Sequence, residues 1–228
     1  MRRGRRTGQI VVILLVGAIA VLYALDLAGN RPGVTELAPA EVREYRGEQL
    51  SSIADFRENS IRGPQYVNAS TYTLTIDGQV ENRKEYSYDA LIERFPHYSK
   101  VVTLYCVEGW DVTILWEGVR VNDLLLEAGV KPGANTVIFY AEDGYSSSLP
   151  LTYIEDRDIL LAYAMNDVTL PAERGFPFEL VAEDRWGYKW VKWVTRIEVS
   201  DDENYRGYWE SRGYANNGSI DRSFFDQG

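Results

Sequence analysis

The chain has one cysteine, Cys106, and one histidine, His97, so nucleophilic or metal chemistry has few side chains to draw on. Cys106 lies in KVVTLYCVEGW, where Val101, Thr103 and Tyr105 alternate with Val102, Leu104 and Cys106. That period of two predicts a strand that delivers the thiol at its end. Glu108, Gly109 and Trp110 follow: an acid, a flexible residue and a large aromatic. A thiol so placed suits a metal-ligand platform. It equally suits ordinary core, because a lone cysteine in a β-rich strand is usually a small buried hydrophobe. Other chemistries are poorly served. One cysteine and one histidine cannot build a zinc cluster, and there is no EF-hand loop. No G-x-S-x-G elbow, P-loop or dinucleotide fingerprint is present. A cysteine hydrolase needs a base in reach, yet an extended strand from His97 to Cys106 separates them by roughly 30 Å. His97, after Pro96, reads as structural.

If Cys106 works chemically, it must bind a soft metal whose other ligands are not protein. A pterin dithiolene that supplies two sulfurs to molybdenum, with the thiolate as a further ligand, meets that requirement. Its phosphate calls for a glycine-containing bend with free N–H groups and a cation. The run WGYKWVKW offers Gly187 and Tyr188 at a bend, with Lys189 and Lys192 supplying charge. The competing reading is an amphipathic strand with solvated lysines.

The elements that must position these residues are short. Tyr72, Leu74 and Ile76 alternate with threonines in a strand ending at Asp77-Gly78. Ser87 caps a helix over 88–95 that Pro96 closes, and Asn122 caps one over 123–128 that Gly129 ends. Further strands are expected over 112–116, 137–141, 159–165, 178–182 and 191–199, with one helical turn over 151–156. Ser51–Gln65 reads as irregular, and 205–225 as a segment that wraps back over the domain. The expected class is α+β: a β-rich mixed sheet with short helices.

The first 25 residues hold four of the 24 basic residues and none of the 34 acidic ones, which leaves the remainder at −14. So acidic a body repels phosphate backbones, which argues against nucleic-acid binding and suits a basic redox partner or mere solubility. Ile10–Leu25 is sixteen residues without a charge. As a helix it spans about 24 Å, between a signal-peptide core and a full crossing. Arg2, Arg3, Arg5 and Arg6 before it place the body outside the cytoplasmic membrane. The expected organisation is an anchor or signal segment at 1–28, a linker at 29–50 and one domain at 51–228, with a cleaved, exported form as the alternative.

Read together, SIRGPQ, TLYCVEGW, a W-x-G-V turn at 116–119, LPAERGFPFELV, WGYKWVKWVTRIEV and GYWESRGY resemble the sulfite-oxidase-type molybdopterin-binding family. The resemblance runs from about Ser60 to Phe225 and is closest to the small single-domain members. CVEGW is similar to the CVEAW of its periplasmic methionine-sulfoxide reductases. The resemblance implies that Cys106 ligates molybdenum, with Glu108 and Trp110 near the metal. It places cofactor contacts at Ser60, Ile61, Gly63, Arg174, Gly187, Tyr188, Lys189 and Lys192. Glu108 or Tyr145 would hydrogen-bond substrate or relay protons. Two positions depart from the pattern: Glu179 stands where relatives often have a cofactor-contacting arginine, and Ala141 near a threonine. The chain ends without room for the immunoglobulin-like dimerisation domain of full sulfite oxidases, which implies a monomer.

The resulting expectation is a molybdenum-cofactor oxidoreductase that moves an oxygen atom to or from a small sulfoxide- or sulfite-like substrate. It would exchange electrons with a haem or quinone-linked membrane partner. The alternative is a membrane-anchored, non-catalytic interaction domain that keeps the fold without metal.

Overall fold

The computed structural model describes residues 40–225; the anchor expected over Ile10–Leu25 and the start of the linker lie outside them. No helix among the described residues is long and apolar enough to cross a membrane. The stretch expected to end the linker packs instead. Glu44–Tyr45 (β1) and Glu48–Gln49 (β2) form a small antiparallel hairpin. Ahead of it, the Val42 amide donates to the Asn166 carbonyl at 2.9 Å. The Glu41 carboxylate accepts from the Ile53 amide at 2.8 Å. The compact unit therefore begins by Ala40.

After an irregular stretch come Thr73–Gly78 (β3) and Lys84–Ser87 (β4). The helix Tyr88–Arg94 (α1) starts where Ser87 Oγ accepts from the Ala90 amide at 3.2 Å, satisfying one of the orphan donors of a helix start. Phe95 is extended, as a residue before proline must be, and the helix stops. Tyr98–Tyr105 (β5) and Asp111–Arg120 (β6) pair antiparallel along their length and are joined by the turn that carries Cys106. The helix Val121–Ala128 (α2) starts earlier than expected, with Arg120 rather than Asn122 at the cap position and no side-chain cap bond. Gly129 ends it at φ +74°. Thr136–Ala141 (β7) and Ser146–Pro150 (β8) form a hairpin, followed by Leu151–Arg157 (α3) and Leu160–Met165 (β9). Val168–Thr169 (β10), Glu179–Val181 (β11) and Val194–Ser200 (β12) complete the regular elements.

Apart from the β1–β2 hairpin, the strands divide into two five-stranded sheets. The first runs β4-β3-β12-β7-β8 and is mixed, because β3 and β12 are parallel. The second runs β10-β9-β6-β5, with β11 also paired to β9, and is antiparallel throughout. Leu74, Ile76 and Ile197 of one sheet and Ile114, Trp116 and Leu161 of the other are buried in a single core. The architecture is α+β.

The turn expected at Trp116–Val119 is not one. Those residues lie inside β6, where the pairing with β9 shifts register between Glu117 and Gly118. The bulge breaks the alternation, so Gly118 mimics a turn residue. It is needed for close approach: a Cβ there would sit 2.3 Å from the Leu161 carbonyl oxygen.

Candidate active site

A cavity of about 340 Å³ lies where the end of β5 meets the loop around Phe56–Ile61, the bend before Trp190 and the C-terminal segment. Cys106, only 7% exposed, is the first residue after β5 and lines it. The turn that holds the thiol is closed by its own backbone. The Cys106 amide donates to the Trp110 carbonyl at 2.9 Å, and the Gly109 amide to the Cys106 carbonyl at 3.0 Å. Gly109 sits at φ +82°, which an L-residue with a Cβ adopts only at a cost. Glu108 and Trp110 line the cavity beside the cysteine, and Trp110 Nε1 donates to Glu108 Oε2 at 3.1 Å. The indole also packs edge-on against Phe56 at 6.1 Å.

The glycine bend packs on the end of the cysteine strand. Gly187–Lys189 is a single 3-10 turn, and Trp186 bridges to Tyr105. A Cβ on Gly187 would meet the Tyr105 carbonyl oxygen at 3.3 Å and Cys106 Cα at 3.7 Å. Gly187 and Tyr188 therefore share the cavity with Cys106. The Tyr188 hydroxyl donates to the Ala215 carbonyl at 2.7 Å, which fastens the bend to the C-terminal segment. Tyr145 also lines the cavity, but its hydroxyl donates to the Tyr188 carbonyl. Burial, with Glu210 and Tyr188 nearby, holds that phenol well above its ordinary pKa. Here it braces the bend.

Lys189 differs from expectation. Its side chain is 0% exposed and is absent from the cavity wall. Its Nζ lies 2.6 Å from Glu210 Oε1, itself 0% exposed, and 3.0 Å from the Asn216 carbonyl. Ser147 Oγ donates to the same Glu210 oxygen at 2.6 Å. Burial pulls the ammonium below its usual pKa and Glu210 opposes that. Gly63, at φ +77°, is also outside the lining. Ser60 and Ile61 are in it.

Arg174 and Lys192 line the cavity and act as straps. Arg174 donates to the Phe56 carbonyl at 3.0 Å and the Arg57 carbonyl at 3.1 Å, and lies over the Phe56 ring. Lys192 Nζ reaches Glu58 at 3.2 Å and the Glu173 carbonyl at 3.3 Å. Together they hold the Phe56–Glu58 loop against the cavity. That loop brings in Arg57 and Asn59, which no motif in the sequence singles out although both lie in the run FREN just before SIRGPQ. Burial and the Glu108 charge push the Cys106 thiol up, and the Glu108 amide, the Asn59 side chain and Arg57 oppose them only in part. Trp209 and Tyr214, from the C-terminal segment, close an aromatic wall.

Among the described residues no group of three or more His, Cys, Asp or Glu side chains converges on a metal position. Any metal here must bring most of its own ligands, as a dithiolene-bound one does. The cavity has the volume of a small-ligand site. Ser60 Oγ, buried in its wall, has no hydrogen-bond partner in the protein, as a site that awaits a polar ligand would leave it. These residues fit a pterin cofactor: Cys106 would be its sulfur ligand, and Ser60, Asn59, Gly187 and Tyr188 would lie around the organic part.

Residues 61–209 match the oxidoreductase molybdopterin binding domain. The chain is 36% identical over 152 residues to the uncharacterized oxidoreductase YuiH of Bacillus subtilis, covering 66% of this chain and 76% of that protein. It is 30% identical over 148 residues to the putative protein-methionine-sulfoxide reductase subunit YedZ1 of Azospira oryzae, covering 65% and 56%. Among solved structures, the sulfane dehydrogenase SoxCD of Paracoccus pantotrophus superposes with a TM-score of 0.60 at 27% identity, covering 68% of this chain and 43% of that one. The family match covers well over half of the chain, with the buried strand-end cysteine inside it, and the chain belongs to the sulfite-oxidase-type molybdopterin-binding oxidoreductases. It is an enzyme, and its cofactor is the molybdenum cofactor.

Proposed function

We propose that the enzyme transfers an oxygen atom between water and a small uncharged substrate of the sulfoxide type, in the reducing direction. The overall reaction takes a sulfoxide, two electrons and two protons to a thioether and water. When bound, the cofactor supplies the two-electron exchange at molybdenum. The chain's own residues do the rest. The Cys106 turn presents the sulfur at a fixed position; burial raises the thiol pKa, and the Glu108 amide, Asn59 and Arg57 only partly offset that. Tyr145, through the Tyr188 carbonyl, keeps the glycine bend against the end of β5. Phe56, Trp110, Trp209 and Tyr214 exclude bulk water from the wall.

The observation that carries the substrate reading is the disposition of cations. Arg174 and Lys192 are already bonded to the Phe56–Glu58 loop, and Lys189 is neutralised by Glu210 outside the cavity. Arg57 remains, with Glu108 opposing it in the same lining. That set suits a neutral oxo-substrate better than a dianion such as sulfite, which calls for several unpaired cations. The acidic body supports a basic haem protein or quinone-linked membrane protein as electron donor, with the chain as a monomer. The arginines ahead of Ile10–Leu25 support a membrane-anchored domain on the extracytoplasmic side.

A dye-coupled assay in both directions tests this on protein from a host that makes the cofactor. Sulfoxide-dependent oxidation of a reduced viologen is expected, with ferricyanide-dependent sulfite oxidation at least about tenfold weaker, the discrimination of one unpaired charge. Cys106→Ser should abolish turnover and leave unfolding unchanged. Brisk sulfite oxidation without sulfoxide reduction would overturn the substrate assignment.

A further inference from the structure

Two carboxyl groups are buried in the cavity wall, and they differ. Asp143 Oδ1 accepts from the Tyr145 amide at 2.9 Å, an ordinary turn contact. Glu179 is 3% exposed and lines the cavity, and no described residue hydrogen-bonds its carboxyl. Its backbone is fixed by pairing with Ala162 in β9. Gly175 packs directly on it: a Cβ there would come within 2.9 Å of Glu179 Cβ and 3.3 Å of Lys192 Cβ.

The charges that face it come from two elements. Arg174 lies on the turn before Gly175 and Lys192 on the segment leading into β12, and both act on Glu179 through space. Neither forms a salt bridge with it, because Lys192 pairs with Glu58 and Arg174 with the loop carbonyls. Glu58 and Glu173 lie close enough to Arg174 to offset its charge. A buried carboxylate without a direct partner is costly and takes up a proton instead. Burial pushes the Glu179 pKa to about 8, with Lys192 and Arg174 only partly opposing. The neutral acid is a hydrogen-bond donor that faces the cavity.

We propose that Glu179, as a neutral carboxylic acid, donates a hydrogen bond to an acceptor atom of the pterin ring system. This rests on the cofactor assignment of the same cavity. The ligand chemistry implied is a ring nitrogen or carbonyl, because a phosphate is better served by a cation.

The test uses the full chain from a cofactor-producing host, as wild type, Glu179→Gln and Glu179→Leu. Pterin per chain is read by fluorescence after oxidative release, and molybdenum by elemental analysis. Glu179→Gln keeps a donor and should load within about twofold of wild type, whereas Glu179→Leu should fall about fivefold to tenfold, the worth of one hydrogen bond. Incubated between about pH 7 and about pH 9.5 and then desalted, wild type should shed pterin as the acid ionises, and Glu179→Gln should not. Infrared spectra of pterin-free wild type near neutral pH should contain a protonated-carboxyl band that Glu179→Gln lacks. Equal loading of Glu179→Leu, flat retention across pH or absence of that band would overturn the inference alone. Wild type without any pterin would overturn the cofactor assignment and the inference with it.

Discussion

Lys189 is one of the residues expected to contact the cofactor, and the structure ties it to Glu210, so replacing it should damage the fold rather than the cavity wall. In Lys189→Met the Glu210 carboxylate loses its 2.6 Å ammonium partner and keeps only Ser147 on Oε1. Glu210 Oε2 already lacks a partner. The Asn216 carbonyl also loses its 3.0 Å donor. Stranding one member of a fully buried pair costs about 3–5 kcal/mol, a large part of the roughly 5–15 kcal/mol that holds a domain together. Replacing both members with apolar side chains of similar size is often neutral, so Lys189→Met with Glu210→Met should recover to within about 1–2 kcal/mol of wild type. Urea unfolding of the pterin-free chain, followed by tryptophan fluorescence, measures both. The folded double variant should still load pterin at the wild-type level, because neither side chain lines the cavity. A single-variant cost below about 1 kcal/mol, or a double variant no better than the single one, would refute the reasoning.

Further outcomes follow from other contacts. Gly118→Ala should destabilise by about 1–3 kcal/mol or more by pushing β6 from the Leu161 carbonyl, read as a lower thermal midpoint. Arg174→Ala removes two hydrogen bonds from the loop before SIRGPQ, so trypsin should cut at Arg57 faster, and an unchanged rate would contradict the strap. Glu179, with an ordinary value of 4.5 raised to about 8, binds a proton in the folded state that the unfolded chain has released. Its contribution is therefore present below about pH 4.5 and lost as pH rises to about 8, by at most roughly 1.4 kcal/mol per unit. Glu179→Gln should flatten that slope and stabilise the pterin-free chain at neutral pH.

Local pattern carried much of this molecule. The cysteine strand, the Ser87-capped helix, the Gly129 stop and the glycine bend all rest on alternation or capping, which act over a few residues. What was not legible depends on partners far along the chain. β8 reads SSSLP and lacks apolar alternation because Ser147 bonds Glu210 in the C-terminal segment. The same glutamate took Lys189 away from the cavity. Gly118 looked like a turn because the bulge against β9 is visible only once β9 is in place. Residues 40–50 looked like linker because only Leu50 among them is buried and the rest hold the domain through backbone and carboxylate contacts. Arg57 and Asn59 come near Cys106 on a loop that Arg174 and Lys192 bind from far along the chain.

Molybdenum-edge X-ray absorption on the purified full chain counts the sulfur atoms bound to the metal. With Cys106 as the protein ligand, wild type should show three sulfurs, two from the pterin dithiolene and one from the thiolate, and Cys106→Ser should show two. An equal sulfur count in both proteins, or folded wild type without molybdenum, would mean that the strand-end cysteine is only a buried residue of the core.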